Sequence, residues 1–273
     1  MTSPGPAENP GRRRLAAALG WSALAGPLWA AAAPATERRI PVLVYHRFAS
    51  SVADSMTVRE TTFSGHLRVL HELGCNVVPL ADVVAWRRTT QAQLPPRAVA
   101  LTADDAHRSQ AEVMAPMLQD TGWPVTLFVY PSAVSNAAYA MTWAQLAELQ
   151  ASGRYRIESH TYWHPHLLRE RRSRSPADFE RFATSQLVMS RERLHERLGA
   201  HPTLLAWPFG MTDDGLMALA AQLGYEASFA LGNRDVSRQD ALHALPRHLM
   251  TDAMSAGQLA RLLEQAFAGD EAR

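Results

Sequence analysis

The sequence predicts an α/β protein, a parallel (β/α) barrel of about seven strands, complete or distorted, in a single domain, with a doubly wound sheet as the alternative. Three observations predict it. Short apolar runs rich in β-branched residues alternate with amphipathic stretches along the chain. One of these runs, "AVALTADD" (98–105), is apolar until its final carboxylates, as in a strand covered on both faces. No internal repeat or linker divides the chain after its N-terminal segment.

The elements follow in order. "RIPVLVYHRF" (39–48) is the first strand, and a helix begins at Thr61 or Thr62 with Phe63, Leu67, Leu70 and Leu73 at helical spacing and Gly74 as its stop. "NVVPL" (76–80) is a strand before a short helix at 81–88. After the 98–105 strand, a helix over 108–120 stops before Gly122, and "PVTLFVY" (124–130) is a strand. Thr142 caps the helix "WAQLAELQASG", and "YRIESH" (155–160) is the next strand. The run "RERRSRS" (169–175) reads as a solvated loop, with a basic subsite for an anionic polymer as the sharper alternative, and a long charged helix fills 176–198. "TLLAWPFG" (203–210) and "EASFAL" (226–231) are strands, with a helix between them capped by Thr212, and the last helix starts near Ser255.

Composition narrows the function classes. Lys plus Arg (27) nearly balance Asp plus Glu (26), so no global field draws the chain to nucleic acid or an anionic membrane. Cys75 is the sole cysteine, which excludes an intramolecular disulfide and a cysteine-based metal site and leaves it a small core residue. Residues 1–35 read as a signal peptide: Arg12, Arg13 and Arg14 precede an apolar stretch from Leu15 to about Ala30, followed by A-x-A sites that predict cleavage after Ala33 or Ala35. The arginines resemble a twin-arginine signal. Gly20, Gly26 and Pro27 interrupt the stretch, which argues against a permanent membrane span after cleavage. Export, to the periplasm, is the expectation, with 36–273 as the folded domain.

In a barrel of this kind chemistry sits at the carboxyl ends of the strands. Three such ends carry polar groups that packing does not require: Asp104–Asp105, "SHTYWHPHL" with His160 and His164, and "WPFG" (207–210). Two histidines four apart meet on one face of a helical turn, and one carboxylate completes a set that leaves open positions for water and substrate. The adjacent aspartates then divide the work, one binding the metal and the other standing as general base. A solvated pair or a helix N-cap is the plainer reading of the aspartates, and surface or capping residues that of the histidines.

Taken together these segments resemble the polysaccharide deacetylases, the NodB-like carbohydrate esterases of family four. "LTADDAHRS" resembles their T-F-D-D-G segment, "HTYWH" their H-[ST]-x-x-H segment, and "WPFG" their third motif in its Tyr-Pro-Tyr-Gly form. "VLVYHRF", "LPPRAVALTADD", "MTWAQLAELQASG", "LGYEASFAL" and "ALPRHLM" extend the likeness over almost the whole mature length. The "YH" opening and "LPR" ending look most like the exported poly-β-1,6-N-acetylglucosamine deacetylases of biofilm systems. The resemblance implies a distorted barrel and metal-dependent removal of N-acetyl groups from a polymeric amino sugar. It implies Asp104 as base and Asp105, His160 and His164 as ligands of a divalent metal, zinc first, with nickel, cobalt or iron tolerated. Pro208 and Phe209 of the third motif, through the Phe209 backbone N–H, would face the oxyanion, and Trp163 a sugar ring.

Three departures from the family pattern stand out. Ala103 replaces the usual Phe and Ala106 the usual Gly, which strains Ala106 if the position needs positive φ. Trp207 stands near where an Arg often pairs with the catalytic Asp, and Arg247 is the candidate to supply that charge. The usual Leu-x-His acid motif is missing; His248 or His243 is offered as general acid, unless Asp104 returns its own proton to the leaving nitrogen. His46 is expected to line the pocket without binding metal, and His66 to lie on a helix surface. The rivals are a carbohydrate-binding homologue without activity, and a deacetylase of peptidoglycan, chitin or an O-acetylated glycan.

Overall fold

A computed structural model describes Met1 and residues 37–269. The expected leader therefore lies, apart from Met1, outside the described residues. The elements in chain order are β1 (Val42–Tyr45), β2 (Arg47–Ala49), β3 (Thr57–Arg59), α1 (Glu60–Glu72), β4 (Asn76–Val77), α2 (Leu80–Arg88), β5 (Ala98–Asp104), α3 (Ala115–Met117), β6 (Val125–Val129), α4 (Trp143–Ala151), β7 (Tyr155–Ser159), α5 (Leu167–Ser173), α6 (Pro176–Leu198), β8 (Leu204–Ala206), α7 (Asp214–Gln222), β9 (Ala227–Phe229), β10 (His248–Leu249) and α8 (Ala256–Phe267).

Seven strands run side by side in parallel in the order β10-β1-β5-β6-β7-β8-β9, with β4 paired to the start of β5. The sheet curls until its edges meet through one segment. Residues 242–245 hydrogen-bond β9, with Ser228 donating to Leu242 and Leu245 donating to Ser228, while β10 pairs with β1 at Leu43↔His248. The result is the distorted barrel that the sequence predicts. All seven residues of β5 are buried, as its unbroken apolar run requires when both faces are covered.

Helix caps explain several boundaries. Thr142 with Gln145, and Ser255 with Gln258, form reciprocal capping boxes, and Ser175 caps α6 ahead of Pro176. Asp213, not Thr212, caps α7: its carboxylate accepts the Leu216 N–H at 2.9 Å. The 169–175 run is mostly helical, because His166 caps α5 through its ring nitrogen. The helix expected over 108–120 begins as a π turn over Gln110–Met114 and continues for one short α segment containing Pro116, which has no N–H to donate. "NVVPL" shortens to Asn76–Val77 because Pro79 precedes the helix directly. β10 was not among the expected strands. Cys75 is partly buried, and among the described residues no helix is long and apolar enough to cross a membrane.

Candidate active site

Three strands of the sheet, β5, β7 and β8, deliver the polar residues to the edge formed by their carboxyl ends. Asp104 is the last residue of β5 and Asp105 the first beyond it; His160 follows β7; β8 runs through Trp207 into the tight turn Pro208–Gly210. Of the eight non-glycine residues with positive φ among the described residues, five (Asp105, Ala106, Thr161, His164 and Phe209) lie in these three loops, so backbone strain is concentrated where the side chains converge.

Asp105, His160 and His164 place one ligand atom each within 4.8 Å of one another. Asp105 Oδ1 lies 3.6 Å from His160 Nε2 and 3.7 Å from His164 Nε2, too far for hydrogen bonds, and this buried oxygen has no hydrogen-bond partner among the described residues. The histidines meet without a helix. Residues 160–166 form an irregular loop that turns at Thr161 and His164, bringing the two rings to 4.7 Å between centroids. His160 Nδ1 lies 2.8 Å from the Ala206 carbonyl, which can only accept, so Nδ1 carries the proton and Nε2 presents its lone pair. Burial pushes the His160 ring down to about 3 and lowers His164 as well, while it raises Asp105 above the usual carboxylate range. Two neutral imidazoles and an unpartnered carboxylate oxygen thus face one point. That donor set fits a divalent cation.

Asp104 is held differently. Arg247 donates from both terminal nitrogens to its two oxygens, each at 2.8 Å, and both side chains are buried. Burial alone would raise the Asp104 carboxyl, but the Arg247 charge and its two hydrogen bonds outweigh it and bring it down to about 2. Asp104 is therefore an ionised carboxylate beside the triad, with Oδ2 3.8 Å from His160 Nε2. His46, just past the end of β1, feels both aspartates; its Nδ1 is buried without a hydrogen-bond partner among the described residues, and burial lowers its proton affinity.

Aromatic side chains wall the site. Phe209 is 53% exposed and sits 4.7 Å from the His164 ring, and Trp163 is 44% exposed beside it in sequence. Tyr130, just past β6, lies 5.3 Å from His164 and is fixed by a 2.7 Å hydrogen bond to Tyr139. Phe209 takes φ 59, and Gly210 after it cannot carry a side chain, since a Cβ there would lie 2.5 Å from Leu231 Cβ and 2.6 Å from its backbone nitrogen.

Comparison with known proteins decides the family. Residues 91–228 match the model of the family described as polysaccharide deacetylase, just over half of the chain. The chain belongs to the polysaccharide deacetylase family. It is 24% identical over 253 residues to the poly-beta-1,6-N-acetyl-D-glucosamine N-deacetylase of Escherichia coli (strain K12), covering 80% of this chain but 37% of that protein, so the chain spans well under half of that relative. Among solved structures it is similar to the Streptococcus pyogenes deacetylase PplD in complex with acetate (TM-score 0.73, 22% identity, 84% of this chain and 99% of that one). It is also similar to IcaB from Ammonifex degensii (TM-score 0.70, 24% identity, 83% and 97%). At these identities the structures speak for the fold.

Within this deacetylase fold, the departures from the family pattern acquire physical reasons. Ala106 has φ 51 and is fully buried, so the position does take the left-handed conformation that glycine favours. Trp207 is a buried anchor whose indole N–H donates to the His243 carbonyl, while Arg247 arrives from the closing segment to pair with Asp104. His248, offered as general acid, is placed by the structure against Asp235. Successive residues of a strand point to opposite faces, so with Arg247 turned to Asp104, His248 turns away and bonds Asp235 at 2.8 Å. His243 is likewise directed elsewhere, at the Ser228 hydroxyl. His66 is fully buried, linking the Tyr45 hydroxyl to the Met254 carbonyl. Tyr130 escaped the sequence reading, although its place at a strand end was the available signal.

Proposed function

We propose that this deacetylase removes N-acetyl groups from a polymer of N-acetylglucosamine of the β-1,6-linked kind, with a divalent cation, zinc by preference, held by Asp105, His160 and His164. The observation that carries the reading is the unpartnered buried oxygen of Asp105 facing two neutral imidazoles, next to a second aspartate kept ionised by Arg247. The substrate class rests on the E. coli relative's name and on the family likeness of the motifs.

When bound, the cation polarises the acetamide carbonyl and makes water a better nucleophile. Asp104 accepts the proton of the attacking water; Arg247 keeps it ionised for that task and fixes the plane of its carboxylate. The backbone N–H of Phe209, in the tight turn after β8, is the oxyanion donor. His46 passes the proton that Asp104 takes from water to the departing nitrogen; burial lowers its proton affinity, so the charged ring is a ready donor, and Asp104 and Asp105 favour its charging. The products are acetate and a free glucosamine unit. Trp163 and Phe209 offer exposed aromatic faces to the sugar, and Tyr130 closes the side of His164 away from solvent. The leader-like residues 1–35 support export and action in the periplasm on a biofilm polysaccharide.

The test is acetate release by the purified protein from poly-β-1,6-N-acetylglucosamine, chitin, peptidoglycan and an O-acetylated glycan, with and without chelator. The reading predicts release from the first, abolished by chelator and restored by a divalent metal. Equal or greater release from another glycan would reassign the substrate, and binding without release would make the protein a carbohydrate-binding homologue.

A further inference from the structure

Gln110 is fully buried, and the mechanism above gives it no part. Its side-chain amide donates to the backbone carbonyl of His46 at 2.9 Å and to that of Asp104 at 2.5 Å. Two carbonyl oxygens can face only the NH2 end of an amide, so its partners fix its orientation. The Gln110 oxygen is then buried with no hydrogen-bond partner among the described residues, a cost that packing alone gives no reason to carry.

The location explains the bridge. β1 and β5 are paired as far as Tyr45↔Ala103, and there the ladder stops. Gln110 joins the next residues on each side, His46 and Asp104, where backbone pairing no longer does. The preceding residue extends the clamp: Ser109 Oγ accepts the Phe48 N–H at 2.9 Å and bonds His107 Nδ1 at 2.8 Å. Residues 46–48 are thus gripped from His46 C=O to Phe48 N–H by two consecutive side chains. Both stand at the mouth of a π turn, where the Ala115 N–H bonds the Gln110 carbonyl five residues back, a geometry that recurs at functional sites.

We propose that Gln110 is a positioning residue for deacetylation, bridging the carboxyl ends of β1 and β5 so that the His46 imidazole and the Asp104 carboxylate keep their working separation. The inference rests on the assignment of Asp104 as base and His46 as acid. Gln110→Met keeps the length of the side chain and removes both donors. Because a misplacement of about 1 Å can cost about 100-fold, kcat should fall about 10- to 100-fold in this variant, with KM and bound metal within about 2-fold of the unsubstituted protein. Gln110→Glu keeps the shape, and its carboxyl can donate once when protonated and not at all when ionised. The ratio of its kcat to that of the unsubstituted protein should therefore rise as pH falls, whereas a merely structural role would leave that ratio flat. A kcat for Gln110→Met within about 2-fold of the unsubstituted protein, or a loss confined to KM, overturns the proposal while Asp104→Asn remains inactive. Turnover by Asp104→Asn breaks the underlying assignment instead. Should Gln110→Met fail to fold, the pH dependence of Gln110→Glu decides: a rising ratio supports the bridge and a flat one overturns it.

Discussion

Arg247 meets Asp104 through two parallel hydrogen bonds of 2.8 Å, with both side chains buried and 143 residues apart in sequence. The guanidinium reaches Asp104 from the segment that closes the barrel, so the same segment that joins the sheet edges also keeps Asp104 ionised. Removing one partner leaves an uncompensated buried charge. Arg247→Leu should destabilise the fold by about 3–5 kcal/mol in chemical denaturation and cut turnover sharply. Arg247→Lys, which lacks the planar fork, should fall between the two.

Acid should unfold the metal-free protein progressively. Burial holds the His160 ring at about 3 against an ordinary 6.5, and Arg247 holds Asp104 at about 2 against 3.8 in spite of its burial. Both folded-state values lie below the unfolded ones. Each contribution is therefore complete above the unfolded value and is lost as pH falls, first for His160 below 6.5 and then for Asp104 below 3.8. The urea midpoint should be lower at pH 4 than at pH 7; an unchanged midpoint would contradict the buried, neutral state of His160.

His46 and His248 separate cleanly in a turnover assay. His46→Ala should lower kcat by about 100-fold or more while metal content stays near the unsubstituted level. His248→Ala removes the contact with Asp235 and should leave kcat within about 2-fold. The opposite pattern would return the acid role to His248.

The strained loops make a paired prediction about size. Ala106→Gly relieves a residue at φ 51 and should change stability by no more than about 1 kcal/mol with deacetylation retained. Gly210→Ala would drive a Cβ to 2.5 Å from Leu231 Cβ, so the Phe209 turn must shift and activity should be largely lost. Thermal melts and acetate release on the two variants check both.

Much of the site was legible because it is local in sequence. An apolar run ending in two aspartates, and two histidines just past another strand, need no long-range information to be noticed. The parity of β10 was not local: whether Arg247 or His248 faces Asp104 depends on the register of a two-residue strand against Leu43, some 200 residues earlier. The spacing of His160 and His164 suited a helical turn, yet the rings meet in a loop whose positive φ values at Thr161 and His164 no propensity announces. Gln110 lies in a stretch that reads as an ordinary helix start. Its burial under the ends of β1 and β5 exists only once the π turn has formed. The barrel followed from alternating runs; the 169–175 arginines were misread because charge marks solvent exposure and says little about helix or loop.

The most direct measurement compares metal content and acetate release for Asp104→Asn and Asp105→Asn on poly-β-1,6-N-acetylglucosamine. The division of labour between the two carboxylates predicts that Asp104→Asn retains stoichiometric metal and loses turnover, whereas Asp105→Asn loses both. Full turnover by Asp104→Asn, or metal retained at full occupancy by Asp105→Asn, would contradict it.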